Sequence, residues 1–107
     1  MEIKSASQSF AALAQETRLA VFIALIKAGP EGFSAGALAE TLDVPSSTLS
    51  FHLKDLAQSG LIQAQRTGRS IIYSADYGGI RGLVGFLLED CCQGDPRLCG
   101  PYIVSPR

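Results

Sequence analysis

Two chain breaks, Asp43-Val44-Pro45 and Gly60, confine the residues between them to one solution, a helix over roughly Pro45 to Ser59 with a single apolar stripe. Proline fits the first position of a helix, where its ring presets the backbone and its missing N–H costs nothing, so the start is placed at Pro45. At about 100° per residue, Leu49, Leu53 and Leu56 share one side, while Ser47, Phe51, Lys54 and Gln58 share the other. After Gly60 the period changes. Leu61-Ile-Gln-Ala-Gln-Arg66 and Arg69-Ser-Ile-Ile-Tyr-Ser-Ala75 are β-prone runs around Thr67-Gly68, which predicts a hairpin.

The flanking segments read as helices. Phe10-Ala-Ala-Leu-Ala14 predicts a short first helix of small residues suited to close packing. Leu13, Leu19, Phe22, Ile23 and Ile26 recur at spacings of three and four, so Thr17 to Ala28 reads as a core helix ended by Gly29-Pro30. Ser34 is a plausible N-cap for a helix running to about Leu42, with Leu38 and Leu42 inward. A last helix starts near Gly78 and carries Ile80, Leu83, Val84, Leu87 and Leu88 toward Cys91 and Cys92. Gly94, Pro96, Gly100 and Pro101 are expected to forbid any helix beyond it. The order helix, helix, turn, helix, hairpin, helix is that of a winged helix-turn-helix, mainly α with a small β-hairpin. Residues 1–92 are assigned to one DNA-binding and dimerisation domain, and 93–107 to a flexible C-terminal tail.

Composition excludes several alternatives. A chain of 107 residues, 47% of them hydrophobic, can build one core and is not a disordered segment. No apolar run approaches the ~20 residues of a membrane span, and Met1-Glu-Ile-Lys-Ser lacks the features of a secretory signal. The expected location is the cytoplasm, with thiols reduced and no membrane partner. The net charge of −1 looks unfavourable for nucleic acid, but its distribution does not. Residues 1–45 and 76–107 are each net acidic, whereas Ser46 to Ala75 carries Lys54, Arg66 and Arg69 against Asp55 alone. That excess predicts modest phosphate affinity per subunit.

Helix-turn-helix proteins place the start of the second helix in the major groove. Here that start holds Ser46, Ser47, Thr48 and Ser50, whose hydroxyls donate and accept and so can meet phosphate or either kind of base group. Capping and solvation also generate such clusters; the hairpin arginines shift the balance toward DNA. Phe51 faces outward beside Ser47 and Lys54, either packing on the wing or touching a thymine methyl. His52, near the edge of the leucine stripe, reads as a packed or phosphate-bonding residue and not as a metal ligand. Arg66 and Arg69 flank the hairpin tip, where their donor forks can hold phosphates or lie along the minor groove.

Leu13-Ala-Gln-Glu-Thr-Arg-Leu-Ala-Val-Phe22, Leu38-Ala-Glu-Thr-Leu-Asp-Val-Pro-Ser-Ser-Thr-Leu-Ser-Phe-His-Leu53 and the hairpin from Gly60 to Tyr73 together resemble the ArsR/SmtB family of metal-sensing winged-helix repressors. The likeness covers about nine-tenths of the chain. It implies a homodimer held by the first and last helices, bound to double-stranded operator DNA without ligand and released by an inducer. The chain departs from the pattern of many family members. Where arsenic and cadmium sensors carry a Cys-Val-Cys type motif, this sequence has Phe33-Ser-Ala-Gly-Ala-Leu38. The His and Asp sets of zinc sensors are also missing, since His52 is the only histidine.

What remains is Cys91, Cys92 and Cys99, similar to the C-terminal Cys-Cys...Cys arrangement of another arsenic-responsive branch. Thiolates select soft ions, and trivalent arsenic or antimony favours three sulfur ligands where structural zinc usually takes four ligands. Three thiols without histidine therefore fit As(III) or Sb(III) as inducer, with no permanent cofactor expected. Asp90 or Asp95 could complete a zinc or cadmium site. Two further readings stay open: a redox-sensing repressor in which Cys91 or Cys92 pairs with Cys99, and a thiol oxidoreductase. The oxidoreductase is disfavoured because no histidine or phosphate-cradling loop lies near the tail, so the chain is not expected to be an enzyme.

Overall fold

Leu25, Leu38, Leu49, Leu53, Leu56 and Leu61 are all but excluded from solvent and, with Val21, form the centre of the core. The computed structural model describes residues 1–91 and 95–99, with the side chains of Asp90, Cys91, Pro96 and Cys99 outside the description. Among these residues the order is α1 (Ile3–Leu13), α2 (Glu16–Ala28), a 3-10 turn (Gly29–Glu31), β1 (Phe33–Ser34), α3 (Ala35–Leu42), α4 (Ser46–Gln58), β2 (Ile62–Thr67), β3 (Ser70–Ala75), α5 (Tyr77–Cys91) and α6 (Pro96–Cys99). This is a winged helix-turn-helix. No single helix among the described residues is long and apolar enough to cross a membrane.

Local chemistry sets the boundaries of the helix-turn-helix. The Ser34 hydroxyl accepts from the Ala37 N–H at 3.1 Å and caps α3. Asp43 ends α3 in the left-handed region, at φ 54° and ψ 50°. Pro45 is the residue before α4 and not its first helical residue as expected; its ψ of 142° is extended, while its carbonyl accepts the Leu49 N–H at 2.9 Å. The missing proline N–H is unneeded at either position, so the sequence signal fits both.

The sheet has three antiparallel strands in the order β1-β3-β2, one more than the expected hairpin. Ile62 pairs with Ala75 and Thr67 with Ser70, which makes Gly68-Arg69 the two-residue loop, one position later than the expected Thr67-Gly68. Gly68 supplies the positive φ of 62° at the first loop position. Phe33 and Ser34 pair with Tyr73 and Ile72. The chain enters this strand at Gly32, where a Cβ would overlap the Tyr73 carbonyl.

The helices correct three expectations. The first helix begins at Ile3, well before Phe10, and its buried face is Ala6, Ser9 and Ala12, small residues that allow close packing. The chain then turns by 98° into the α2 segment. In α2 the buried residues are Val21, Phe22 and Leu25, whereas Leu19, Ile23 and Ile26, expected inward with Phe22, are exposed. The third correction is α6, a helical turn where none was expected. Pro96 takes its first position at no cost, and the Asp95 carboxylate accepts the Arg97 N–H at 2.9 Å while its carbonyl accepts from Leu98. At the other helix, α5, the expected start near Gly78 and course toward the cysteines agree with Tyr77–Cys91 to within a residue.

Candidate nucleic-acid interface

The apolar side of α4 is anchored by Leu49, Leu53 and Leu56, so its opposite side is displayed. Ser47, Phe51, Lys54 and Gln58 are exposed together, as the helical period requires, and Phe51 is 73% exposed. That is the largest exposure of any aromatic ring among the described residues, and neither the wing nor the core covers it.

Capping does not account for the serine cluster. Pro45 occupies the N-cap position, and no side chain caps α4. Ser46, Ser47 and Thr48 are the first three helical residues, all exposed, at the end where backbone N–H groups lack intrahelical acceptors. Ser50 alone turns its hydroxyl back, donating to the Ser46 carbonyl at 3.0 Å, and keeps its acceptor capacity. Uncovered N–H groups at the positive end of the helix dipole, with hydroxyls beside them, suit an anion such as a DNA phosphate. His52 lies half-buried, and its Nδ1 is enclosed without a hydrogen-bond partner. A phosphate contact from this ring would have to use Nε2.

The wing carries its cations at and beside the tip. Arg66 stands opposite Ile71 in the ladder, and Arg69 is the second loop residue; both are exposed. Among the described residues neither arginine is held by an ion pair, in contrast to Arg18 and Arg97. Free guanidinium groups keep their full donor set for an incoming phosphate.

Cys91 is the last residue of α5 and Cys99 the last of α6, while Cys92 lies outside the described residues, as do the side chains of the other two. Among the described residues no three His, Cys, Asp or Glu side chains gather into a metal-holding group.

A family model described as a helix-turn-helix domain matches residues 13–63, from the end of α1 into β2. An ArsR-like transcriptional regulator from Rhodococcus sp. RHA1 is 30% identical, over 89% of this chain and 87% of that one, with a TM-score of 0.75. The chain belongs to the ArsR-like transcriptional regulators. This ArsR-like chain is also 34% identical over 64 residues to an uncharacterized HTH-type transcriptional regulator, YceK, of Bacillus subtilis (strain 168). That match covers 60% of the chain, which spans 63% of the length of YceK. The reduced form of HlyU from Vibrio cholerae N16961 is 26% identical, over 84% of this chain and 92% of that one, with a TM-score of 0.65.

Pairing between distant segments was not visible in the sequence. Arg18 and Asp55, 37 positions apart, meet at 3.4 Å beside the end of α1, and no local pattern announces it.

Proposed function

We propose that this ArsR-like regulator binds operator DNA as a homodimer and is released when trivalent arsenic or antimony is held by Cys91, Cys92 and Cys99. The start of α4 carries the reading: hydroxyls that cap nothing, backbone N–H groups left open, and an exposed Phe51 on the same helix as Lys54. Ser46, Ser47, Thr48 and Ser50 supply contacts to base edges and phosphates, Phe51 a contact to a thymine methyl, and Lys54, Arg66, Arg69 and His52 contacts to the backbone. Such a surface binds and releases, as the similarity to transcriptional regulators supports.

Exposed apolar groups on the outer helices support a second copy as partner. Phe10 of α1 and Val84 and Leu87 of α5 are each more than 40% exposed in the single chain. Val84 and Leu87 continue the stripe begun by Tyr77 and Ile80, so α5 has an apolar side beyond the one that buries Leu83. Two α4 helices in such a dimer must meet half-sites about one DNA turn apart. Thiolates drawn together would pull residues 93–98 back onto the end of α5, and a change at α5 would alter that spacing. Typical couplings of ~1–3 kcal/mol correspond to ~5–150-fold in affinity.

A redox-responsive reading has one observation in its favour, the similarity to HlyU, whose reduced form has been solved. It requires Cys91 or Cys92 to pair with Cys99. A gel-shift titration run in parallel with arsenite, antimonite, cadmium, zinc and peroxide separates the two. Release by arsenite or antimonite at the lowest concentration supports the metalloid reading. Release by zinc alone or by peroxide alone sinks it.

A further inference from the structure

The last carbonyls of α1 have no further turn of helix to satisfy them; the Ala14 N–H donates to that of Ala11 at 3.3 Å, and Arg18 adds donors from the first turn of α2. Its Nε donates to the Ala12 carbonyl at 2.6 Å and its Nη2 to the Ala11 carbonyl at 3.3 Å. The remaining arm, Nη1, reaches Asp55 Oδ2 on α4 at 3.4 Å. Arg18 is itself held in place, because the Gln15 side chain caps α2 by accepting the Arg18 N–H at 2.8 Å. One guanidinium therefore joins the end of α1, the start of α2 and the exposed side of α4.

A second link lies one turn further along. The Ser9 hydroxyl, on a residue only 2% exposed, donates at 3.1 Å to the carbonyl of Ser59, the residue that closes α4. Beside these links an open cleft of about 330 Å3 lies on the surface, with Gln8, Ala11, Arg18, Asp55 and Gln58 among its walls. On this exposed side no side chain fills the space, so the polar links add to the buried contacts of Ala6 and Ala12 in setting how α4 stands against the end of α1.

We infer that Arg18 is a positioning residue for DNA reading, its fork holding α4 at Asp55 and so fixing where the start of α4 points. The inference rests on the proposed use of α4 as the reading helix. Geometry gives the link its leverage. Ser47 lies about 18 Å along the axis from the Ser9 link at Ser59, so a tilt of ~10° about that link, which the Asp55 contact about 6 Å away resists, moves Ser47 by ~3 Å, enough to break a base contact. The leucine stripe anchors the buried side of α4 by close packing, and the fork adds a directional constraint on its exposed side. The ion pair itself is long and its carboxylate is 54% exposed, so it adds little to stability. Its contribution is direction, supplied by a planar fork whose other donors are tied to α1.

The test uses the full chain and a duplex that the wild-type protein enriches from a random-sequence library, with a scrambled duplex as control. Anisotropy gives the affinity for each, and the melting temperature and dimer mass are measured alongside. Arg18→Lys keeps the charge and loses the fork; Asp55→Asn, at an exposed site, keeps the shape and loses the ion pair. Each variant is expected to lower the ratio of selected to scrambled affinity by about 3- to 10-fold with unchanged dimer mass. The double variant should lose no more than the worse single one, since both break one link. Wild-type ratios in both single variants, or losses that multiply in the double, overturn the inference. Asp55→Asn decides the matter alone if Arg18→Lys does not fold. Failure of the wild-type chain to enrich any sequence would reject the α4 reading itself, a result distinct from retained selectivity in the variants.

Discussion

Gly79, in the first turn of α5, rests directly on the carbonyl oxygen of Gly60, so closely that a Cβ at residue 79 would overlap it. The Asp76 carboxylate caps this turn by accepting the Gly79 N–H at 3.1 Å, and the Asp76 N–H bonds the Leu61 carbonyl at 2.9 Å. The start of α5 is thereby locked to the exit of α4. Gly79→Ala must push the two backbones apart, at a net cost of about 1–3 kcal/mol despite the better helix propensity of alanine. Thermal unfolding should show a melting temperature lower by several degrees. Gly36→Ala in α3 meets nothing within 4 Å and should hold or slightly raise it.

Phosphate contacts reveal themselves through salt. If Arg69 meets the DNA backbone, Arg69→Ala removes one contact per subunit and lowers the slope of log K against log salt by about 2 in a dimer. Lys54→Ala should behave alike, with sequence preference kept. An unchanged slope for both would remove these residues from the interface.

Phe51 gives a different signature. Its exposure means that Phe51→Ala should leave the melting temperature within about 1 °C of wild type. Loss of a methyl contact should weaken binding by about 4-fold per half-site, and only where the half-site carries thymine. A loss independent of sequence would assign the ring to packing instead.

Val84 and Leu87 test the dimer. Leu87→Glu places a charge on the apolar side of α5, and in a symmetric interface it does so twice. Sedimentation should show dimer dissociation constants raised at least ~100-fold, with the far-ultraviolet circular dichroism of the monomer retained. A dimer that survives Leu87→Glu and Val84→Glu alike is held elsewhere.

Sensor and reader should come apart at the thiols. The Cys91/Cys92/Cys99→Ser variant is expected to bind DNA with wild-type affinity and to stay bound when arsenite is added. Loss of DNA binding without any inducer would contradict the separation proposed here.

Asp95 offers a pH handle on α6. The Arg97 guanidinium, and after it the Arg97 backbone N–H, holds this carboxyl below its usual range. A lowered value in the folded state means the helical turn gains stability above the unfolded carboxyl value of about 3.9 and loses it as pH falls through the folded one. Carbon NMR titration of Asp95 should show this depression and its disappearance in Arg97→Ala. Identical titrations would mean the pair does not persist in solution.

Legibility in the sequence followed chemical contrast. The outward side of α4 could be read because leucines alternate there with serines, Lys54 and Gln58 at helical spacing, and Ser34 because a cap is a local event. The buried side of α2 could not. Leu19-Ala-Val-Phe-Ile-Ala-Leu-Ile26 is apolar around its whole circumference, so the period cannot say whether Val21 and Leu25 or Ile23 and Ile26 turn inward. The start of α1 was hidden for the opposite reason, since Ala6 and Ser9 bury little apolar surface. Strand β1 is two residues long and owes its existence to Tyr73 and Ile72, far away in the chain. Arg18 and Asp55 are likewise a product of folding. Of the thiol site, the sequence supplied the residue types and their spacing, and Cys92 lies outside the described residues.

Ser34 belongs to the sheet through its backbone, paired with Ile72, and to α3 through its hydroxyl, which caps Ala37. No linker separates the wing from the helix pair, so a subunit has no joint at this point with which to re-aim one relative to the other. In the proposed dimer, adjustment to operators of different half-site spacing would then fall to the contact between subunits. Evolution of a new target length in this lineage should leave residues 33–37 alone and rewrite the outer helices.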